Sequence, residues 1–183
     1  LKCEFVKPGK PNHIIGSRNL YHRAFFGRYI ATLEERLRCL PEGQCISTNG
    51  PQTAAAILEL RHFNRFIETD HTAWDLHVSR PLLAALNDEY KRVFKVPIAD
   101  QVYSDAVLRS YLSSRWKFRN GLRYRLSGTR VSGDVDTTVG NTILHIALNR
   151  TVARLSGLSK EDYGQRCKGD DCVLAEAGDP DKR

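Results

Sequence analysis

Methionine is absent from the 183-residue sequence, which begins with Leu1. We therefore expect the sequence to be an excerpt from a longer polypeptide. No apolar run approaches the roughly 20 residues that a membrane-spanning helix needs, and no signal peptide opens the chain. Repeats and low-complexity tracts are also missing. These absences exclude a membrane span and a repeat architecture within the sequence itself.

Cysteines are few and show no regular pattern. Five cysteines, an odd number at irregular spacings, fit a reducing compartment better than a disulfide framework. The hydrophobic content of 41% and the charged content of 27% are ordinary for a soluble globular protein. At 183 residues the chain is long enough for one sizeable core, or for one domain with an appendage.

Acidic residues are fewer than basic ones. The 28 lysines and arginines outnumber the 21 aspartates and glutamates, which gives a formal net charge of +7. Such an excess favours a polyanionic partner such as nucleic acid or an acidic membrane surface. On charge alone, the alternative of a basic protein that has no special partner is equally open.

Apolar residues recur at helical spacing in several segments. Helices are predicted for NLYHRAFFGRYIATLEERLRCL, PQTAAAILELRHF, RPLLAALNDEYKRVF, IADQVYSDAVLRSYL and DTTVGNTILHIALNRTVARLSG. The apolar face of the last helix is expected at Val139, Ile143, Ile146, Val152 and Leu155. Strands are predicted for NRFIETD and for both arms of QRCKGDDCVLAE. Helices mixed with antiparallel strands, without a regular β-α-β alternation, indicate an α+β fold.

The segment SSRWKFRNGLRYRLSGTR predicts a β-hairpin, because alternating residues flank the turn signal formed by Asn120 and Gly121. A two-residue loop would pair Trp116 with Arg125 and mix aromatic and cationic side chains on each face. A three-residue loop ending at Gly121 pairs Trp116 with Tyr124 and separates an apolar face from a basic one. We therefore predict the three-residue loop, with Gly121 left-handed.

The stretch GQRCKGDDCVLAEAG places Cys167 and Cys172 on either side of two adjacent carboxylates, Asp170 and Asp171. A zinc site would need more ligands, but no second cysteine pair with metal-ligand spacing follows, and the nearest histidine is His145. On opposite arms of a hairpin, the two cysteines are expected to pack as small buried apolar groups.

Two further carboxylates accompany the pair at the turn. Asp70 ends a predicted strand, and Asp75 follows after four intervening residues. If the strand ends converge, these acidic groups can hold hard divalent cations, because magnesium takes oxygen ligands from carboxylates and substrate phosphates. The alternative for an isolated Gly-Asp-Asp is a solvated surface turn.

A polar segment lies between the two acidic clusters. Ser132 and Gly133 form a flexible element before a predicted helix, on which Thr137 and Asn141 share one face because they are four residues apart. Hydroxyl and amide groups near a helix N-terminus suit contacts to a sugar hydroxyl or a phosphate. An ordinary helix cap with a solvated polar face is the alternative.

The order of three motifs resembles a known family. They are Asp-x4-Asp in DHTAWDLHVS, Ser-Gly-x3-Thr-x3-Asn in GTRVSGDVDTTVGN, and Gly-Asp-Asp in GDDCV. Together they are similar to the palm of a viral RNA-dependent RNA polymerase. The likeness is to the tombusvirus-like positive-strand RNA viruses, within the flavivirus-like supergroup, and it runs from about Lys7 to Leu174.

The resemblance implies a fold and a domain organisation. It implies an α+β palm, with an antiparallel sheet packed against helices, plus part of the fingers. Residues 1–60 would be the partial fingers with a basic NTP-binding segment, and residues 61–183 the palm catalytic core. The thumb would lie outside the sequence, which is then a fragment of a longer polymerase.

The resemblance also implies roles for individual residues. Asp70 and Asp170 would be the main metal ligands and catalytic residues, and Asp171 would be a weaker or auxiliary ligand. Asp75 would sense the ribose 2′-hydroxyl, the group that distinguishes RNA from DNA precursors. The residues that would complete this ribose recognition are Asn141, Ser132, Thr137 and the mobile loop residue Gly133.

The upstream segment VKPGKPNHIIGSRN resembles the basic finger segment that grips the triphosphate. Lys10 and Arg18 are the candidate ligands, and Lys7 is a further one. The segment departs from the family at His13, where arginine is usual, and neutral histidine is a poorer phosphate ligand. Lys168 is a second departure, which we expect to pair with a carboxylate or to contact the primer backbone.

Three other side chains near the motifs are expected to be structural. His71 is expected to contribute only backbone geometry. Trp74 and Trp116 are expected to lie in the core rather than to stack on bases.

The implied activity is RNA-directed RNA synthesis in viral genome replication. Ribonucleoside monophosphates would be transferred from NTPs to an RNA 3′-end by two-metal-ion catalysis, with Mg²⁺ or alternatively Mn²⁺ as the cofactor. The partners would be template and nascent RNA, NTPs and other viral replication proteins. The place would be membrane-associated replication complexes in the host cytoplasm.

Two alternatives stay open on the sequence alone. A non-catalytic RNA-binding module would use only the basic excess, and the acidic clusters would be incidental. A reverse transcriptase would be a related enzyme, but CKGDD lacks the aromatic-x-Asp-Asp signature expected of it.

Overall fold

The computed structural model describes residue 16, residues 18–117 and residues 121–178. Its helices are α1 (Leu20–Arg38), α2 (Gly50–Leu58), α3 (Trp74–His77), α4 (Arg80–Val93), α5 (Gln101–Leu112) and α6 (Thr137–Leu155). Its strands are β1 (Arg65–Asp70), β2 (Ser113–Lys117), β3 (Arg123–Ser127), β4 (Tyr163–Lys168) and β5 (Asp171–Glu176). The predicted α+β class is confirmed. None of the described helices has the length and apolar character needed to cross a membrane.

The described residues form two compact units, each built from two separate stretches of the chain. The first unit contains the residues up to Tyr29 together with Ala73–Thr137. The second contains Ile30–Thr72 together with the residues from Thr138 onwards. This partition does not follow the expected boundary after residue 60, because the chain enters the second unit within α1 and returns to it at α6. The assignment of fingers and palm to parts of the chain stays a prediction.

The sheet of the second unit has three antiparallel strands in the order β1-β5-β4. β5 pairs with β1 from Arg65 opposite Glu176 to Asp70 opposite Asp171. On its other edge β5 pairs with β4, where Lys168 is opposite Asp171. This register places the last residue of β1 beside the first residue of β5.

The turn between β4 and β5 contains two residues, Gly169 and Asp170. Gly169 has a φ of +69°, in the left-handed region that side chains disfavour and that tight hairpin turns require. The predicted strand-turn-strand in QRCKGDDCVLAE is therefore confirmed, with the glycine supplying the backbone conformation that lets the two strands reverse direction.

The interior of the second unit contains small clusters of buried apolar residues. One consists of Leu60, Phe63 and Ala175, and another of Ile146, Cys167 and Cys172. Cys167 and Cys172 are 0% and 3% exposed, lie opposite each other in β4 and β5, and are free thiols. The prediction that these two cysteines pack as small buried groups is confirmed.

Helix α6 has a buried face that differs from the apolar set expected from the sequence. Val139 and Ile146 are buried, but Val152 and Leu155 are 51% and 79% exposed. The expectation for Val152 and Leu155 is wrong, because buried positions of this helix are filled by polar side chains. These buried polar residues are Asn141, Thr142, His145 and Asn149.

The hairpin of the first unit consists of β2 and β3. Its register pairs Trp116 with Tyr124 and Lys117 with Arg123, as the three-residue loop predicts. Gly121 has a φ of +87°, so its left-handed conformation is confirmed as well. The same prediction pairs Phe118 with Leu122. Phe118 lies outside the described residues, so this pair stays a prediction.

Aromatic rings and one buried ion pair make up much of the core of the first unit. The rings of Phe26, Tyr90 and Phe94 lie 5.2–5.8 Å apart, a separation at which aromatic pairs attract. Arg130 donates to Asp136 at 2.7 Å with both side chains 1% exposed, and the Tyr90 hydroxyl donates to the same carboxylate at 3.0 Å. The buried charge of Arg130 is thus paired with a carboxylate, which also accepts a hydrogen bond from Tyr90.

Candidate active site

Three carboxylates are gathered at one end of the sheet in the second unit. Asp70 is the last residue of β1, and Asp171 is the first residue of β5 and lies directly opposite it. Asp170 precedes Asp171 in the turn. All three aspartates are exposed. The antiparallel pairing therefore joins two motifs that are about one hundred residues apart in sequence.

The carboxylates at this sheet end perturb one another. Partial desolvation, and then the charges of Asp170 and Asp70, raise the pKa of the Asp171 carboxyl. The Lys168 ammonium acts in the opposite direction, but the net shift is upward. The part of the shift that comes from Asp170 and Asp70 reflects repulsion among the three carboxylates, which a bound cation would relieve.

The donor set suits a hard divalent cation. Exposed carboxylate oxygens are the ligands that Mg²⁺ and Mn²⁺ prefer, whereas the nearby thiols of Cys167 and Cys172 are buried. Within the described ranges, however, no group of three or more histidine, cysteine, aspartate and glutamate side chains is arranged closely enough to hold a metal ion. The structure thus gathers oxygen ligands on one sheet end without forming a closed ligand cluster.

Thr142 of α6 holds the turn that carries Asp170. The Gly169 N–H donates to Thr142 Oγ1 at 2.8 Å, and the same hydroxyl donates to the Thr138 carbonyl at 2.8 Å. Thr142 is completely buried, so this contact is shielded from water. Sequence reasoning missed Thr142, although its position directly after Asn141 in the second motif is a signal that could have been used.

His145, one turn further along α6, links the same turn to the end of β1. Its Nδ1 lies 3.4 Å from the Gly169 carbonyl, and its Nε2 lies 3.2 Å from Thr69 Oγ1. Burial lowers the pKa of His145, which favours the neutral ring. The His71 Nε2 lies 3.2 Å from the His145 Nε2, so the expectation that His71 contributes only backbone geometry is wrong.

Lys168 has a defined position beside the acidic turn. Its Nζ donates to the Thr48 carbonyl at 3.2 Å, and its backbone pairs with that of Asp171. The Lys168 ammonium opposes the upward shift of the Asp171 pKa, so it is close enough to influence that carboxylate electrostatically. The side chain is thereby tied to the loop that precedes α2.

The second group of predicted site residues lies in the first unit. Ser132 Oγ donates to the Asp75 carboxylate, and the Arg130 N–H donates to the Asp75 carbonyl at 3.1 Å. Gly133, directly after Ser132, has a φ of +98°, which only glycine adopts without strain. The Thr137 hydroxyl donates to the Asp134 carbonyl at 2.8 Å and so holds the same loop. The structure therefore brings Asp75 and Ser132 into direct contact.

Asn141 belongs to the second unit, where it lies on α6 with a 3% exposed side chain. Trp74 is 9% exposed, which confirms its expected place in the core. Trp116 is half-buried under the Arg18 guanidinium, 5.1 Å from the ring centroid, and does not present an open face for base stacking there.

Only one of the three candidate triphosphate ligands lies within the described residues. Lys7, Lys10 and the departure at His13 lie outside the described residues. Arg18 is described, and its guanidinium forms an ion pair with Asp134, with Nε 2.7 Å and Nη2 3.1 Å from the two carboxylate oxygens. Its role toward a triphosphate stays a prediction.

Known proteins match this chain over most of its length. A family model described as viral RNA dependent RNA polymerase matches residues 63–180, more than half of the chain. The RNA-directed RNA polymerase of Pothos latent virus (isolate Pigeonpea/India) is 29% identical over 181 residues, covering 92% of this chain and 23% of the viral protein. That of tomato bushy stunt virus (strain Cherry) is 26% identical over 196 residues, covering 95% of this chain and 22% of the viral protein. The chain thus spans less than a quarter of the length of these curated relatives.

A solved structure is similar in fold. It is the insertion-loop deletion mutant of the RNA-dependent RNA polymerase of a human picobirnavirus, which matches with a TM-score of 0.65 and 17% identity. The match covers 82% of this chain and 29% of the other. At this level of identity, the likeness shows a shared fold.

Proposed function

Because this chain belongs to the viral RNA-dependent RNA polymerase family, we propose that it carries the metal-binding and ribose-recognising part of a template-directed RNA polymerase. The observation that carries the proposal is the pairing of Asp70 with Asp171 at the end of the sheet. That pairing gathers the first and third motifs, which the sequence separates widely, and it leaves their carboxylates exposed.

Asp70, Asp170 and Asp171 would hold divalent cations, Mg²⁺ or Mn²⁺. When bound, such ions lower the pKa of the attacking RNA 3′-hydroxyl and neutralise charge on the leaving pyrophosphate. The chain's own contribution is to present oxygen ligands from two adjacent strands on a fixed backbone. Thr142 and His145 support that backbone through their contacts with Gly169.

Ribose recognition would depend on Asp75, Ser132, Thr137 and Asn141, with Gly133 giving the loop its conformation. The support for this assignment is the contact of Ser132 with Asp75, which fixes the orientation of a carboxylate able to accept from a 2′-hydroxyl. A site that accepts a hydrogen bond from a substrate hydroxyl rejects substrates that lack it.

The triphosphate would be met by the basic segment through Lys7 and Lys10. The Arg18 guanidinium is bound to Asp134, so it would have to leave that carboxylate to contact the triphosphate. A guanidinium fork that already matches a carboxylate can present the same geometry to a phosphate.

The partners in this proposal are template RNA, nascent RNA and NTPs. Other viral replication proteins and membrane-associated replication complexes in the host cytoplasm belong to the same proposal. The match to RNA-directed RNA polymerases supports it over a reverse transcriptase and over a non-catalytic RNA-binding module. The exposed carboxylates also have no use in a module that binds RNA through basic residues alone.

Primer extension by the full-length protein, with an RNA template and Mg²⁺, tests the proposal. The variant with Asp170→Asn and Asp171→Asn should lose at least about 1,000-fold in extension rate, because metal ions contribute several kcal/mol to the transition state. A matched control with Asp88→Asn and Glu161→Gln removes two exposed charges elsewhere and should extend like wild type. A wild-type extension rate in the Asp170 and Asp171 variant would contradict the assignment of these residues as metal ligands.

A further inference from the structure

The β2–β3 hairpin carries four cations on one face, and they stand directly opposite one another. Arg115 pairs with Arg125, and Lys117 pairs with Arg123. All four side chains are exposed. Like charges that are directly opposite in an antiparallel pair are destabilising, so this arrangement opposes hairpin formation instead of favouring it. We call these four side chains the basic face.

Carboxylates do not compensate the basic face within the part of the chain that the structure describes. None of its four cations forms an ion pair there, and the Arg125 Nε donates only to the neutral Ser113 Oγ, at 3.3 Å. Some exposed cations elsewhere in the same unit do have carboxylate partners, as Lys91 does with Asp105. What distinguishes the hairpin is that its cations, which have no carboxylate partner among the described residues, stand directly opposite one another.

The other face of the hairpin explains how the ribbon is held. It carries Trp116 and Tyr124, whose rings stack with centroids 6.4 Å apart and planes 15° apart. The Trp116 indole N–H donates to Ser114 Oγ at 2.6 Å, and the Arg18 guanidinium covers the Trp116 ring. Because these rings are engaged in packing, the basic face offers positive charge without an aromatic platform.

The geometry of the basic face fits a polymer of regularly spaced negative charges. Residues on one face of a strand repeat every 7 Å or so, and directly opposite residues are separated by roughly 5 Å. A membrane surface is a poorer match, because interfacial binding combines basic residues with apolar side chains that enter the lipid. Besides the four cations, the described residues of β2 and β3 place only the small polar side chains of Ser113 and Ser127 on this face, and no apolar side chain.

We propose that the basic face formed by Arg115, Lys117, Arg123 and Arg125 binds the phosphodiester backbone of an RNA strand without base specificity. The identity of the polyanion as RNA rests on the proposed function, but the contact itself requires neither metal ions nor catalysis. Release of condensed counterions from the RNA drives such binding and makes it depend steeply on salt. The bound phosphates also remove the repulsion within the hairpin.

The test is fluorescence anisotropy of a labelled 16-nucleotide RNA with the full-length protein, in EDTA and without NTPs. The variant with Arg115→Gln and Arg125→Gln should bind poly(U) and poly(A) oligonucleotides each about tenfold more weakly at low salt. The slope of log K against log salt should fall by about 1.4, since two of the phosphate contacts are lost at about 0.7 each. The control with Lys95→Gln and Arg109→Gln, which removes two exposed cations of the same unit, should stay within twofold of wild type.

A second measurement separates binding from folding. Thermal melting without RNA should show the Arg115 and Arg125 variant to be as stable as wild type or more stable, because a repulsion has been removed. A lower melting temperature would contradict the proposal. So would equal RNA affinity and salt slope in this variant, equal losses in the control, or a loss of binding to anionic vesicles but not to RNA.

The RNA-binding test of the basic face does not depend on the proposed metal site. The variant with Asp170→Asn and Asp171→Asn should keep wild-type RNA affinity in EDTA. If that variant binds RNA normally and also extends primers, the assignment of Asp170 and Asp171 as metal ligands fails, while the proposal for the basic face is unaffected. If the hairpin variant binds RNA like wild type while extension depends on Asp170 and Asp171, the basic face fails alone. Single-stranded and duplex RNA are compared in separate arms, because both carry the same backbone chemistry.

Discussion

Asp70 and Asp171 are directly opposite residues in the antiparallel pairing of β1 with β5. Two carboxylates in this arrangement repel, which costs up to about 1 kcal/mol in a cross-strand pair. Asp170 in the adjoining turn adds a third negative charge. A fold that holds three exposed carboxylates at one sheet end carries a local instability that a divalent cation removes, and this relationship yields the first prediction.

Replacing Asp171 with asparagine should stabilise the chain in EDTA but weaken its response to magnesium. The free energy of unfolding should rise by up to about 1 kcal/mol without metal, because one cross-strand repulsion is gone. Adding 10 mM Mg²⁺ should stabilise wild type through binding to the folded state and should stabilise Asp171→Asn less, because one of the three carboxylate ligands is gone. Urea denaturation with and without Mg²⁺, with Asp88→Asn as the control, measures both effects. An equal response to Mg²⁺ in the two proteins would contradict the assignment.

Replacing Thr142 should distinguish the loss of a hydrogen bond from the loss of volume. Thr142→Val keeps the shape but leaves the Gly169 N–H without its acceptor, which should cost about 1–3 kcal/mol at this buried position. Thr142→Ser keeps the hydroxyl and should cost about 0.8 kcal/mol for one buried methyl group. Urea denaturation of both variants gives the comparison. If Thr142→Ser were the more damaging of the two, the hydrogen bond to Gly169 would not be the important contact.

His22 should make the stability of the chain depend on pH. Its ring is 6% exposed and lies 3.0 Å from the Tyr111 hydroxyl. Burial, and then the charge of Arg18, lower the pKa of His22 from 6.5 to about 4, against the opposing charge of Asp136. Between these two values the unfolded state binds more protons than the folded state, so stability is full above pH 6.5 and falls as the pH is lowered to 4.

The expected loss by pH 4 is about 3 kcal/mol. Urea denaturation of wild type and His22→Gln at several pH values between 7.5 and 4 measures it. Other groups titrate equally in both proteins, so the difference between the two curves isolates His22. Parallel curves over the whole range would show that the His22 ring is not held neutral in the fold.

Asp75→Ala should weaken the discrimination between ribonucleotides and deoxyribonucleotides. The Asp75 carboxylate is oriented by Ser132, and its loss removes the proposed acceptor for the 2′-hydroxyl. Single-nucleotide incorporation by the full-length protein should show the ratio of kcat/KM values for rNTP over dNTP falling by about tenfold or more. Glu161→Gln serves as the charge-matched control. A ratio that survives the Asp75 change would remove this residue from ribose recognition.

Local patterns in the sequence predicted much of the fold. The register of β2 with β3 was predicted as the one that puts aromatic and basic side chains on opposite faces of the hairpin. The observed pairing of Trp116 with Tyr124 confirms it. The turn at Gly169 and the end of β1 at Asp70 were likewise predicted from alternating residues and a glycine. These features depend on near neighbours in sequence, which is why a single sequence suffices for them.

Contacts between residues far apart in the chain could not be predicted from the sequence. The exposure of Val152 and Leu155 on α6 depends on which neighbours that helix meets, so a helical period alone misplaced them. The contact of His71 with His145 joins residues far apart in the chain and leaves no local signal. The division into two interleaved units likewise follows from tertiary packing and not from composition.

The most direct test of the central claim is the position of a bound metal ion. Crystals of the full-length protein soaked in Mn²⁺ would locate the ion by its anomalous scattering. The account predicts a manganese peak within about 2.5 Å of carboxylate oxygens from both Asp70 and Asp170. A peak elsewhere, or carboxylates of Asp70 and Asp170 too far apart to share one cation, would contradict it.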